Sequence, residues 1–249
     1  MGTVSFKQSL LILTSGIAIL GGLSPSARAA TPKSRIKTPT TARSQHAREL
    51  LGSTYRKSAA KRTEGVRDIA GFIRQSVETQ LPSKFKSKAP QITRAILAEA
   101  NRHGFDPIFI MAVIQTESSF VPNQVGGVGE IGLMQIRPTT AKWLNDKLGN
   151  KAQLGYRNEK SLYNVETNIR IGTAYFAMLR EKFDASSPLY IAAYNMGATN
   201  VKRSLRNSVM PREYAGRIMK RYIQFYEKLE NQVALEQQAL KQPQMVASR

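Results

Sequence analysis

Glu117, in the run Gln115-Thr116-Glu117-Ser118-Ser119-Phe120, closes a strongly apolar segment. Gly132-Leu133-Met134-Gln135-Ile136 follows it, and Ala193-Tyr194-Asn195 comes later in the chain. One carboxyl at the end of an apolar helix, beside a glycine-rich turn and a Tyr-Asn pair, suits a single kind of chemistry. A carboxylic acid kept neutral in a partly apolar pocket can give its proton to a leaving oxygen, such as the bridging oxygen of a glycosidic bond. Other chemistries lack their residues. The chain has two histidines and no cysteine. His46 and His103 stand apart, with no metal-ligand spacing, so no metal or redox site is expected. The glycine-rich stretch 126–132 lacks the preceding strand and the lysine of a phosphate-cradling loop. No cofactor is implied.

The elements that must position these residues read as helices. Ile92, Ile96, Leu97 and Ala100 form one stripe, and His103-Gly104 stops it. Asp106-Pro107 has the form of an N-cap followed by proline in the first turn. Ile108, Met111, Ala112 and Ile114 then make a helix buried on most sides, with Glu117 at its C-terminal end. Pro138 opens a helix carrying Trp143, Leu144 and Leu148. Asn164 caps one running to about Phe183. Pro188 begins a short one that delivers Tyr194-Asn195, and Pro211 starts a last one to about Leu229. Few segments alternate with period two. The fold class is therefore mainly α, with at most a small hairpin at the glycine-rich loop.

The N-terminus reads as an export signal. Lys7 precedes the apolar run Leu10 to Leu23, and Ala27-Arg28-Ala29 fits a small-x-small cleavage site. The expected organisation is a signal peptide at 1–29, a basic linker and leader helix at 30–88, a catalytic domain at 89–230 and a tail at 231–249. The leader helix is expected from Glu64 to Gln80. The expected location is exported, in the periplasm. The formal net charge is +20, and residues 30–88 carry 14 Lys and Arg against 4 Asp and Glu. Such a bias suits an anionic envelope surface or a solvated leader equally well. Nucleic acid is not expected as a partner, because the leader lacks interleaved aromatics.

The segment from about Ile92 to Tyr222 resembles the soluble lytic transglycosylase domain, which shares a lysozyme-like helical fold with goose-type lysozyme. Glu117-Ser118 is similar to its catalytic Glu-Ser motif, Gly132-Leu133-Met134-Gln135 to its Gly-Leu-Met-Gln motif, and Ala193-Tyr194-Asn195 to its Ala-Tyr-Asn motif. Tyr214, with Ile218 and Tyr222, resembles the closing Tyr helix, and Asn168-Ile169 with Gly172 a structural stretch. The resemblance implies a lyase-type enzyme with peptidoglycan glycan strands as partner, cleaving between N-acetylmuramic acid and N-acetylglucosamine. Glu117 would be general acid, then base. Gln135 and the Met134 backbone would contact the sugar with Ser118 beside them, Tyr194 and Asn195 would orient its acetamido group or Glu117 itself, and Tyr214 would close the pocket. The alternatives are a structural bond near the helix end for Ser118, core packing for Met134 and a buried aromatic with a satisfied hydroxyl for Tyr214.

Two positions depart from the family pattern. Gly126 stands where a serine is frequent, and Glu130 where a small residue is usual. Glu130 could activate water, giving a hydrolytic muramidase, or it could pair with a nearby arginine. A non-catalytic cell-wall binder is a further alternative.

Overall fold

The computed structural model describes residues 40–149 and 152–241. The expected signal peptide at 1–29 lies outside the described residues. The helices are α1 (Thr40–Leu51), α2 (Ala59–Arg62), α3 (Ile69–Gln80), α4 (Ala89–His103), α5 (Pro107–Ser118), α6 (Pro138–Leu148), α7 (Val165–Lys182), α8 (Ser187–Met196), α9 (Ala198–Arg206) and α10 (Glu213–Lys241). The β structure found among the described residues is two isolated bridges in the glycine-rich loop, Val125 with Ile131 and Ile131 with Ile136. Among those residues no helix is long and apolar enough to cross a membrane.

Helix α5 is the axis of the core. The Asp106 carboxylate accepts from the Ile108 amide at 2.9 Å, and Pro107 occupies the first turn, where its missing N–H costs nothing. Every residue from Pro107 to Ile114 is buried. A helix apolar all round must be enclosed, and each such Ile, Phe or Met contributes about 1.5–3 kcal/mol on burial. α10 and α4 pack directly on α5, α7 packs on α4, and α8 lies between α7 and α10. Gly104 ends α4 in the left-handed conformation (φ 65°), and the Asn164 side chain caps α7 through the Thr167 amide at 3.0 Å.

Three boundaries expected from sequence are corrected. The compact unit does not begin near Ala89. Ala47, Leu50, Tyr55, Phe72, Ile73, Val77 and Leu81 belong to the same hydrophobic core as α5. The helix expected from Glu64 begins at Ile69, capped by Asp68, whose carboxylate accepts from the Gly71 amide. Residues 231–241 are not a separate tail, since α10 runs on to Lys241. No glycine or proline interrupts that stretch, and its Gln, Glu, Ala and Leu are good helix formers.

His46, read as part of a basic leader, is fully enclosed. Its Nδ1 accepts from the Asp106 amide at 3.0 Å, and its Nε2 lies 3.0 Å from the Tyr190 hydroxyl. Phe105 and Phe109 meet the ring edge-on. Burial, then the nearby Arg180 charge, pushes its pKa well below the usual histidine range, so the ring is neutral. Nδ1 is occupied as an acceptor, so the proton sits on Nε2, and Nε2 donates to Tyr190. Arg43 is also buried, donating to the Thr63 and Glu64 carbonyls.

Candidate active site

The chain reverses sharply after Glu117. Ser119 and Phe120 both hold positive φ (50° and 61°), a conformation uncommon for residues with side chains. Burial of the Phe120 ring fixes the reversal. The chain then enters the loop 121–137, which packs back against the end of α5.

That loop is pinned from three helices. The Ser118 hydroxyl, on α5, donates to the Leu133 carbonyl at 2.8 Å. Asn168, on α7, uses every amide position: Oδ1 accepts from the Met134 amide at 2.8 Å, and Nδ2 donates to the Ile131 and Leu162 carbonyls at 2.8 and 2.9 Å. The Tyr194 hydroxyl, on α8, donates to the Met134 carbonyl at 2.8 Å. Two glycines make this closeness possible. Gly132 has φ 81°, and a side chain there would strike Asn168 and the Leu162 carbonyl; a Cβ on Gly172 would lie 2.5 Å from the Met134 sulfur.

A cavity of about 630 Å³ opens beside this loop. Glu117, Gln135, Tyr194 and Asn195 line it, together with Glu130 and Tyr175. The Tyr214 hydroxyl, on α10, donates to Glu117 Oε1. Burial pushes the Glu117 carboxyl up to about 7, against the pull of that hydroxyl and of Arg217, and with a push from the Glu130 charge. A carboxyl of this kind is half protonated near neutrality and can either give or take a proton.

Three residues expected to touch substrate do not line the cavity. Ser118 is buried and commits its hydroxyl to the backbone. Met134 is fully buried, its sulfur against Gly172 and both its backbone groups engaged. Tyr214 is buried and acts on Glu117 from behind. Tyr194 holds the loop and does not bond Glu117; its ring stacks on Phe176 with centroids 3.9 Å apart. Asn195 is exposed on the cavity rim.

Glu130 does pair with an arginine. Its Oε1 accepts from Arg137 Nε at 3.0 Å, and its Oε2 from the Val128 amide at 3.2 Å. Sequence reasoning missed Arg217, Tyr175 and the loop-holding role of Asn168. A signal existed for the last two: Asn168, Gly172 and Tyr175 recur at helical spacing, so they share the α7 face turned to the loop. Likewise Arg217 lies three residues after Tyr214 on α10.

The same segment matches known proteins. Residues 94–214 match the family described as the transglycosylase SLT domain. Membrane-bound lytic murein transglycosylase C of Serratia proteamaculans is 33% identical over 150 residues, covering 57% of this chain and 40% of the relative. The protein of that name from Edwardsiella ictaluri is 35% identical over 150 residues, with the same two shares of 57% and 40%. That of Histophilus somni is 36% identical over 127 residues, 48% of this chain and 34% of the relative. The chain thus spans 40% or less of the length of these curated relatives. Lytic transglycosylase Slt of Pseudomonas aeruginosa, solved as an inactive mutant, superposes with a TM-score of 0.50 at 20% identity, over 74% of this chain and 37% of that one. That likeness is one of fold. Residues 94–214, just under half of the chain, are thus similar to the transglycosylase SLT domain family, with the helical fold around them.

Proposed function

We propose that the protein is a peptidoglycan lytic transglycosylase, cutting the β-1,4 bond between N-acetylmuramic acid and N-acetylglucosamine. The observation that carries this reading is the Glu117 carboxyl, raised to about 7 on the wall of a cavity large enough for several sugar atoms to pack around it. In the first half-reaction the protonated carboxyl gives its proton to the bridging oxygen. The bond from that oxygen to the anomeric carbon breaks, and N-acetylglucosamine leaves with a free hydroxyl. Positive charge at the anomeric carbon is met by the muramic sugar's own acetamido oxygen. In the second half-reaction the Glu117 carboxylate takes the proton of the same sugar's 6-hydroxyl. That oxygen bonds to the anomeric carbon, giving a 1,6-anhydro ring and restoring the acid. No water enters the balance, and the attacking oxygen is already tethered to the carbon it must reach.

Tyr214 and Arg217 have a defined part in this cycle. Both favour the charged form of Glu117, so they support the base step while burial supports the acid step. Hydrolysis through Glu130 is the weaker reading. A carboxylate bound by Arg137 and a backbone amide is a poor base for water. The protein is proposed to act outside the cytoplasm, on the strength of the apolar N-terminal run and the substrate.

Digestion of purified sacculi with the wild type and Glu117→Gln, read by mass analysis of the released muropeptides, tests the proposal. The expected products of the wild type are 1,6-anhydro ends, absent with the variant. Reducing ends from the wild type would replace the transglycosylase reading with hydrolysis.

A further inference from the structure

The loop 121–137 brings two oxygen acceptors to the same spot on the cavity wall. The Gly126 amide donates to the Glu130 carbonyl at 2.8 Å, closing a tight turn that folds the Glu130 side chain back over Gly126. An added Cβ at residue 126 would lie 2.5 Å from Glu130 Oε2 and 2.8 Å from Gln135 Oε1. The two oxygens therefore occupy the space that any other residue at 126 would fill. All three residues line the cavity that holds Glu117.

The orientation of both groups is fixed. Gln135 Nε2 donates to the Gln124 and Gly132 carbonyls at 3.1 and 2.9 Å, using both amide hydrogens. Its Oε1 must then point away from them, toward Gly126. Gln135 itself holds φ 47°, so the backbone bears a local cost to present this side chain. Glu130 Oε1 accepts from Arg137 Nε and Oε2 from the Val128 amide, with its own backbone amide also favouring the carboxylate. The two oxygens can accept about four hydrogen bonds between them, so the carboxylate keeps an unused lone pair. The Glu130 side chain is 20% exposed, against 54% for Arg137, so the carboxylate is the ordered, sheltered member of the pair. Burial pushes its pKa up, but its own and the Val128 backbone amides, with Arg137, outweigh that and hold it below the ordinary carboxylate range. It is anionic near neutral pH.

Two acceptor oxygens side by side, one of them charged, select a donor between them, while the Arg137 guanidinium on the same cavity balances the Glu130 charge. We propose that Glu130 Oε2 and Gln135 Oε1 form a subsite for the amide N–H or a hydroxyl of an N-acetylated sugar, and that Gly126 is the residue that leaves room for it. The inference rests on the reading of the cavity as a glycan site.

The test uses the full chain carrying Glu117→Gln, which does not consume its ligand, titrated calorimetrically with the N-acetylglucosamine tetramer. Adding Glu130→Ala should weaken binding about tenfold, the loss expected for a hydrogen bond to a charged acceptor. Glu130→Gln keeps one acceptor oxygen and should lose less. Gly126→Ala should weaken binding like Glu130→Ala, because its methyl displaces both oxygens. Where thermal melting shows Gly126→Ala to be destabilised, Glu130→Ala decides alone. Arg137→Ala separates contact from support, because it leaves the carboxylate in place and should change binding less than Glu130→Ala. Unchanged binding with Glu130→Ala overturns the inference, and so does an equal loss with Arg137→Ala, which would make the pair a structural brace. Absence of any tetramer binding by the Glu117→Gln protein overturns this inference and the glycan reading together. Tetramer binding indifferent to Glu130 sinks the inference alone.

Discussion

The two ends of α5 carry carboxyls in similar company and with opposite uses. Asp106 stands at the N-terminus and Glu117 at the C-terminus, and α10 runs antiparallel alongside, offering tyrosine hydroxyls to both. Tyr222 and Tyr226 donate to Asp106 Oδ2 at 2.7 and 2.6 Å, and Tyr214 donates to Glu117. Burial raises the pKa of each. Asp106, however, is sealed, with the Ile108 amide filling the other oxygen. Glu117 has one tyrosine and opens on the cavity. A carboxyl becomes reactive here because its satisfaction is left incomplete where a substrate can arrive, and burial by itself does not distinguish the two.

Exchanging side chains at the two ends tests this contrast most strongly. Glu117→Gln is expected to lower turnover of sacculi by about 100- to 10,000-fold, the range of a general acid–base group. It should not harm the fold. With a folded pKa near 7 against an ordinary 4.5, Glu117 binds more protons folded than unfolded between those values. Its contribution to stability is complete below pH 4.5 and lost as pH rises through 7, by up to about 3 kcal/mol. Glu117→Gln should therefore match the wild type in chemical denaturation at pH 4 and exceed it at pH 8. Asp106→Ala should do the reverse. Losing the cap costs about 1 kcal/mol, and stranding two buried hydroxyls costs about 1–3 kcal/mol each. A fall in melting temperature on the order of 10 °C is expected, with turnover per folded molecule largely kept.

Finer changes sharpen the Glu117 end. Tyr214→Phe removes a hydrogen bond that favours the carboxylate, so the Glu117 pKa should rise and the alkaline limb of the kcat/KM profile should move to higher pH. Glu130→Gln removes a negative charge and releases Arg137, so that limb should move to lower pH, by a smaller step. Both limbs moving the same way would contradict the assignment of roles. The equivalent change at the sealed end, Tyr226→Phe, should leave the profile in place and lower only stability.

The sequence revealed the α5 end-points well. Asp106-Pro107, the apolar run and the position of Glu117 follow from capping rules and periodicity, and Glu117, Gln135, Tyr194 and Asn195 share one cavity while Ser118, Met134 and Tyr214 do not line it. Directions of side chains were harder to read. Ser118 follows Glu117 in sequence, yet one residue of helix rotates it inward to the Leu133 carbonyl. Met134 sits in a short motif beside Gln135, and the turn sends one side chain to α7 and the other to the cavity. The N-terminal helices were misread for a different reason. Their charges suited an anionic surface or a solvated leader alike, but Arg43 is spent on backbone carbonyls and Glu49 on Arg180, partners too distant in sequence to be foreseen.

The His46 side chain has one last implication, for the timing of assembly. It must wait for the Asp106 amide and for Tyr190, 144 positions away, before its nitrogens are satisfied. Contacts of that span close late, after most of the polypeptide has been synthesised. Helix α1 then stays unsettled until α8 exists, a delay that keeps that stretch threadable for as long as the chain is incomplete.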